Sequence, residues 1–238
     1  MSLVRQRIEP GIEVLRLDRP ETRNAFDRAL LAELIAALET LAGDQDLRAL
    51  IFSTTDTIAL SAGADVSEVL SVEQGVARMA AFSALYEAIE AFPAPTIAVC
   101  VGNVIGAGAE LAVGCDLRVG GDNLKIGWVG ARLGVPVGPA RLVPVVGVAR
   151  AKELLFTGRV LGMEVAERFG LLHRTAPADQ AEAVALGLAG EIAGNSLPGV
   201  RALKAMVAEA QGSAERVRQE NRGLEHWQQH GSGLPQGG

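Results

Sequence analysis

Residues 97–116 read I-A-V-C-V-G-N-V-I-G-A-G-A-E-L-A-V-G-C-D, and the fold turns on how this stretch is parsed. Residues 97–101 are an unbroken apolar run rich in β-branched side chains, the pattern of a strand buried on both faces. Gly102, Gly106 and Gly108 then mark a turn, and Glu110-Leu111-Ala112-Val113 begins a helix. A strand that enters a helix through glycines leaves the first amide N–H groups of that helix without intrahelical acceptors. With the helix dipole, those groups suit a negatively charged oxygen. Glu110 falls on the first helical turn, close to where such an oxygen would lie. Two readings stand at this point: an oxyanion-binding turn with an adjacent acid–base group, or an ordinary strand–helix joint whose glutamate complements the dipole.

The flanking chain alternates in the same way. Residues 12–18 alternate apolar and polar, as a half-buried strand does. Residues 26–41 place Leu30, Leu31, Leu34, Ile35, Leu38 and Leu41 at helical spacing, and 47–54 form a second buried strand. Ser61-Ala62-Gly63-Ala64-Asp65 is a small-residue loop. Residues 72–92 read as a helix that Pro93-Ala94-Pro95 stops. Beyond Asp116, 117–119 is a short strand and 120–129 a loop holding Trp128. Residues 130–147, rich in Gly, Pro and Val, fit no element. Short helices are expected at 149–156 and 163–168, and a short strand at 171–175. From Ala178 onward the pattern is helical, with breaks at Gly194-Asn195 and Gly212-Ser213. The Gly/Pro/Ser-rich residues 231–238 read as a disordered tail. This alternation predicts an α/β fold, with a core domain over residues 1–175 and a helical region over 176–230.

Composition narrows the function. The 238 residues are 49% apolar, enough for a substantial core. A net charge of −6 without a block of Lys or Arg argues against a nucleic-acid partner. No apolar run has the length to cross a membrane. The N-terminal residues lack an apolar core with a cleavage site, so the expected location is the cytoplasm. Cys100 and Cys115 lie in apolar runs and read as buried thiols in a reducing compartment. Neither has His or Cys at ligand spacing, and His226 and His230, four apart, read as a solvated helix face, so no metal is expected.

Four blocks in order resemble the crotonase superfamily, also called the enoyl-CoA hydratase/isomerase family, from about residue 10 to residue 230. They are Leu17-Asp18-Arg19-Pro20 with Arg23-Asn24-Ala25; Ser61-Ala62-Gly63-Ala64-Asp65; the G-x-x-x-G-x-G-x-E-L-x-x-x-C-D signature from Gly102 to Asp116; and Leu154-Leu155-Phe156-Thr157-Gly158 with Ala166-Glu167 and Gly170-Leu171. The resemblance implies a crotonase-like spiral of ββα units with a C-terminal helical trimerisation region. It also implies acyl-CoA thioester substrates, in which coenzyme A is part of the substrate and no separate cofactor is bound, and a homotrimer or dimer of trimers.

Carried over by position, the thioester oxygen would be held by the amides of Ala64 and Ala107. The family usually has glycine at the second position, and alanine serves there if its φ is negative. Removing one such donor typically costs about 2.7–4 kcal/mol of transition-state stabilisation. Glu110 matches the first of two glutamates that family hydratases use to add water. The second belongs to a segment that reads here Ile126-Gly127-Trp128-Val129-Gly130-Ala131-Arg132-Leu133-Gly134, with Gly130 at the glutamate position. Glycine carries no proton, and a general acid–base group is worth about 10²–10⁴ in rate, so reduced hydratase activity is expected. Family isomerases usually rely on the same missing carboxylate. The reaction therefore stays open among slow hydration, isomerisation, decarboxylation and thioester cleavage, with a non-catalytic acyl-CoA binder as the alternative. Gly130→Glu is the substitution that would put the carboxylate back. Residues expected to bind substrate are Ala62, Gly63, Asp65 and Val66 around the adenine, Arg23 near a CoA phosphate, and Gly106, Trp128 and Gly130 at the acyl group.

Overall fold

The computed structural model describes residues 2–235. A β-hairpin of β1 (Leu3–Ile8) and β2 (Ile12–Leu17) leads into α1 (Arg28–Ala42). Three ββα units follow. They are β3 (Ala49–Thr54), β4 (Ala59–Ser61) and α2 (Val72–Glu90); β5 (Thr96–Cys100), β6 (Asn103–Ile105) and α3 (Ala107–Gly114); and β7 (Leu117–Gly121), β8 (Lys125–Gly127) and α4 (Gly130–Leu133). Then come α5 (Pro139–Thr157), β9 (Val160–Leu161), α6 (Met163–Arg168), β10 (Arg174–Ala176), α7 (Ala181–Ala193), α8 (Leu197–Gln211) and α9 (Ser213–His230).

Each unit gives its first strand to a sheet ordered β1-β2-β3-β5-β7-β10 and its second to a smaller sheet ordered β4-β6-β8-β9. Successive units thus stack as turns of a spiral, parallel in both sheets, with Ile51 beside Ile97 and Val99 beside Val119.

The buried runs follow from this layering. One face of the larger sheet, carrying Val14, Ile51, Val99 and Val119, is covered by α7. That helix presents Ala181, Ala185, Ala189 and Ala193 at four-residue spacing, and such small side chains let the helix lie close. The opposite face, with Leu15, Leu50 and Phe52, packs against Leu30, Leu34 and Leu38 of α1. Strands covered on both faces have no polar alternation, which is why 97–101 is apolar throughout. Burying each leucine contributes about 1.5–3 kcal/mol. Asp27 caps α1 by accepting from Leu30 N at 2.8 Å, and Ser71 with Gln74 forms a reciprocal capping box on α2.

The sequence reading missed several elements. β1 was not expected because its six residues are mostly polar and exposed without alternation, and β4, β6 and the β8 that lies in the predicted loop 120–129 are strands of three residues, too short to show a period. Residues 130–147 hold α4 and the first part of α5, which Gly147 breaks at φ 78°. The strand expected at 171–175 is β10, whose ladder with β7 runs through Ala176. A boundary at 175 therefore cuts a ladder, and α7 beyond it is a layer of the same core. The C-terminal helices are equally integral. Asn221 of α9 donates to Ser83 O at 3.1 Å and Glu87 Oε1 at 3.0 Å on α2. The expected disordered tail begins ordered, with Leu234 packed on the core and its amide donating to Gln228 Oε1 at 2.9 Å. Residues 236–238 of that tail lie outside the described residues. No helix among the described residues is long and apolar enough to cross a membrane.

Candidate active site

The loop after β4 is fixed by the early turn. Ala62 N donates to Arg23 O at 2.9 Å, Ser61 Oγ donates to Asn24 O at 2.7 Å, and Gly63 N donates to Ser61 Oγ at 3.1 Å. Asn24 can hold this turn because asparagine tolerates the left-handed region it occupies, at φ 54°. Its buried side chain also accepts from Arg19 N and donates to Thr54 Oγ1 and Ala59 O.

Beyond this, Phe26 forms a parallel bridge with Ala64. Phe26 N donates to Gly63 O at 2.7 Å, and Phe26 O accepts from Asp65 N at 3.0 Å. In that pattern the bonds flank Ala64, whose own N–H points to the opposite side of the chain.

Ala107 is the first residue of α3, where the amide has no intrahelical acceptor, and Gly106 caps it at φ 54°. Among the described residues, neither the Ala64 nor the Ala107 amide donates to a protein acceptor. Gly63 brings the two segments together. At its φ of 101°, a Cβ would lie 2.8 Å from Ile105 O and 3.6 Å from Ala107 N, so only glycine allows this approach. Ala107 is outside the left-handed region, as the backbone-donor reading requires.

Ala64 and Ala107 line a cavity of about 170 Å³ together with Ala62, Gly63, Val66, Gly106 and Gly130, all expected at the site. Residues that the sequence did not single out complete it. Met79, Phe82 and Tyr86 come from α2, Val135 and Val137 from the turn after α4, and Leu224 and Leu234 from the C-terminal segment. The apolar character of the cavity thus depends on chain well beyond residue 175.

The remaining expected residues lie elsewhere. Asp65 staples its own loop, accepting from the Ser67 hydroxyl at 2.6 Å and the Ser67 amide at 3.1 Å, with Arg19 at 3.6 Å. Burial raises its pKa, but those partners outweigh it and hold the carboxyl below the usual range. Arg23 is exposed, and its contribution to the loop is its main-chain carbonyl. Trp128 is 1% exposed and sits beside Glu110, outside the cavity lining.

Glu110 is fully buried behind the cavity wall and is absent from its lining. It follows Ala107 by three residues, so the two share a helix face. Its Oε2 accepts from Arg141 Nε at 2.5 Å, and Arg141 Nη2 donates to Glu220 Oε1 at 2.5 Å. The guanidinium also lies 4.3 Å from the centroid of the Tyr86 ring. Glu110 Oε1 and the Trp128 indole N–H lie near one another, close enough for the indole to favour the ionised carboxyl but without the alignment of a formed hydrogen bond. Burial pushes the Glu110 pKa up, the Arg141 cation opposes this, and Glu220 adds to the rise; the net direction is upward.

Position 130 is closed by backbone. Gly130 O accepts from Val135 N at 2.8 Å. A Cβ at 130 would lie 2.5 Å from Val135 O and 3.3 Å from Val137 Cγ1. The expectation that Gly130→Glu simply returns a carboxylate is therefore corrected: the short turn occupies the space the side chain needs.

A family model described as enoyl-CoA hydratase/isomerase matches residues 7–233. The chain is 39% identical over 194 residues to enoyl-CoA hydratase domain-containing protein 2, mitochondrial, of Mus musculus, covering 76% of this chain and 64% of that protein. It is 33% identical over 180 residues to the enoyl-CoA isomerase/hydratase fer4 of Mycosarcoma maydis, covering 70% of this chain and 66% of that protein. The matches thus span just under two thirds of those relatives' own lengths. Among solved structures, an enoyl-CoA hydratase from Bacillus anthracis superposes with a TM-score of 0.85 at 26% identity, with both chains covered completely. The spiral and these likenesses agree: the chain belongs to the enoyl-CoA hydratase/isomerase family of the crotonase superfamily.

Proposed function

We propose that this chain is an enzyme acting on acyl-CoA thioesters. The Ala64 and Ala107 amides hold the thioester oxygen and stabilise it as it becomes an enolate, with Glu110 as the proton-transfer group. The observation that carries this is the pair of unpartnered amides on one apolar cavity: one is freed by the bridge to Phe26 and the other by the start of α3. Each donor is worth about 2.7–4 kcal/mol where negative charge develops out of water. Coenzyme A enters as part of the substrate.

Hydration would be slow. No carboxylate lines the cavity among the described residues, and Val135 and Val137 fill the side of Gly130 where the second would project. Chemistry that begins with the enolate and needs one proton carrier, such as decarboxylation, fits the site better. The same lack of a lining carboxylate favours a second reading, a non-catalytic acyl-CoA binder. On α8 the exposed Leu203 and Met206, both more than 60% accessible, support self-association as a trimer or dimer of trimers, which sedimentation would measure.

The test is solvent exchange. Incubated in D₂O with a panel of acyl-CoA thioesters, an enolate-forming enzyme exchanges the α-proton whatever its final product. Wild type should exchange and Glu110→Gln should lose it by about 10²–10⁴-fold. Binding without exchange would establish the binder instead.

A further inference from the structure

Glu110, Arg141 and Glu220 come from three helices and meet in the interior, although Glu220 is 79 residues from Arg141 in sequence. The guanidinium spans two carboxylates, Nε to Glu110 Oε2 and Nη2 to Glu220 Oε1, each at 2.5 Å. Glu220 is itself held firmly: its Oε2 accepts from the Ala140 amide at 2.7 Å, so both of its oxygens are committed to the start of α5. Asn221, the next residue, ties the same turn of α9 to α2. Glu110 has one committed oxygen, and its Oε1 makes no hydrogen bond in the buried interior.

We propose that Arg141 is a positioning residue for Glu110, and that Glu220, delivered by α9, shares the same guanidinium and so sets how strongly Arg141 holds it. The C-terminal helix is thereby part of the reaction centre's charge balance and not only a cover for the cavity. The role assigned to Glu110 as proton carrier rests on the proposed function, whereas the charge arrangement does not.

The other charged or titratable groups around Glu110 leave this balance to the three. Tyr86 of α2 stays a neutral phenol, since burial pushes its pKa up. Glu87 of α2 is engaged by Asn221. Arg216 of α9 donates to Ala140 O at 3.3 Å and Gln211 O, both main-chain oxygens. Trp128 contributes only its indole dipole. Two carboxylates against one guanidinium leave one net negative charge. Removing the charge of Glu220 leaves Arg141 to Glu110 alone and favours its ionised form. Removing Arg141 leaves two buried carboxylates together and favours protonation.

The experiment uses Trp128 as the reporter. The chain has two tryptophans, so Trp227→Phe leaves one, whose indole faces Glu110. Its emission is followed against pH in the full-length protein without ligand. A titration abolished by Glu110→Gln is expected. Glu220→Gln should move its midpoint to lower pH and Arg141→Gln to higher pH; a merely structural role would not give opposite shifts. If Arg141→Gln does not fold, Glu220→Gln decides alone. No titration in wild type, no shift in Glu220→Gln, or shifts in the same direction would overturn the proposal. The acid limb of α-proton exchange should move with the emission midpoint. Shifted emission with no exchange on any acyl-CoA would keep the charge arrangement and refute the proposed function.

Discussion

The two walls of the cavity are built on opposite principles. The wall bearing Ala64 and Ala107 is main chain held in register by hydrogen bonds, with Ser61, Asn24 and Phe26 each consuming the neighbouring polar groups so that two amides are left over. The wall from Gly130 to Val137 is a short turn closed on itself, with Val135 N bonded back to Gly130 O and valine side chains facing inward. The first wall presents donors at no reorganisation cost; the second presents only apolar surface. Free amides and an apolar face can stand side by side in one cavity because they reside on separate segments of chain.

The sharpest way to break the first wall is Ala107→Pro. Proline is at home in the first turn of a helix, where its missing N–H was unsatisfied anyway. The fold should persist while one donor disappears, and α-proton exchange should fall by about 10²–10³-fold. Equal activity in the two proteins would detach Ala107 from the chemistry. On the second wall, Gly130→Glu should lower stability by about 1–3 kcal/mol through overpacking, read from denaturant unfolding, with no gain in hydration of an enoyl-CoA. A stable variant with faster hydration would show that the turn yields. Ser61→Ala removes the hydroxyl that bonds both Asn24 O and Gly63 N and should cost about 1 kcal/mol for each bond lost, accompanied by weaker acyl-CoA binding.

The smallest effect is expected at Asp65, whose carboxyl is held below its ordinary pKa. Its contribution to stability is fully present above the unfolded value of about 3.9. It is lost as pH falls through the lower native value, because protonation removes the bonds to Ser67 and Arg19. Asp65→Asn should therefore remove that modest contribution at neutral pH, leave stability nearly unchanged below the native value, and so flatten the acid limb of the profile.

The same contrast explains what the sequence revealed. The first wall is legible in part: the glycines before α3 announce an amide-lined turn, and Glu110 follows Ala107 by one helical turn, whereas Ala64, brought there through Gly63 and the bridge to Phe26, is placed only by the resemblance to the family. The second wall and the charge cluster are not local. Arg141 lies in the stretch 130–147, which has no period because α4 is only four residues long and α5 carries Pro144 and a break at Gly147. Glu220 reads as one more polar residue of an amphipathic helix until α9 folds onto α2 and α5. Leu234 sits in a Gly/Pro/Ser-rich segment whose composition suggests disorder, yet it fills a gap in the cavity. The short strands of the smaller sheet escape notice for want of length, although the spiral depends on them.

The central claim is that two main-chain amides meet at one oxygen. Difference infrared spectroscopy of a bound saturated acyl-CoA, labelled with ¹³C at the thioester carbonyl, reads this directly. Wild type should shift the carbonyl stretch to lower frequency than in water, and Ala107→Pro, which keeps the Ala64 donor, should bind the same ligand with a clearly smaller shift. An unshifted carbonyl in wild type, or the same shift in both proteins, would contradict the account.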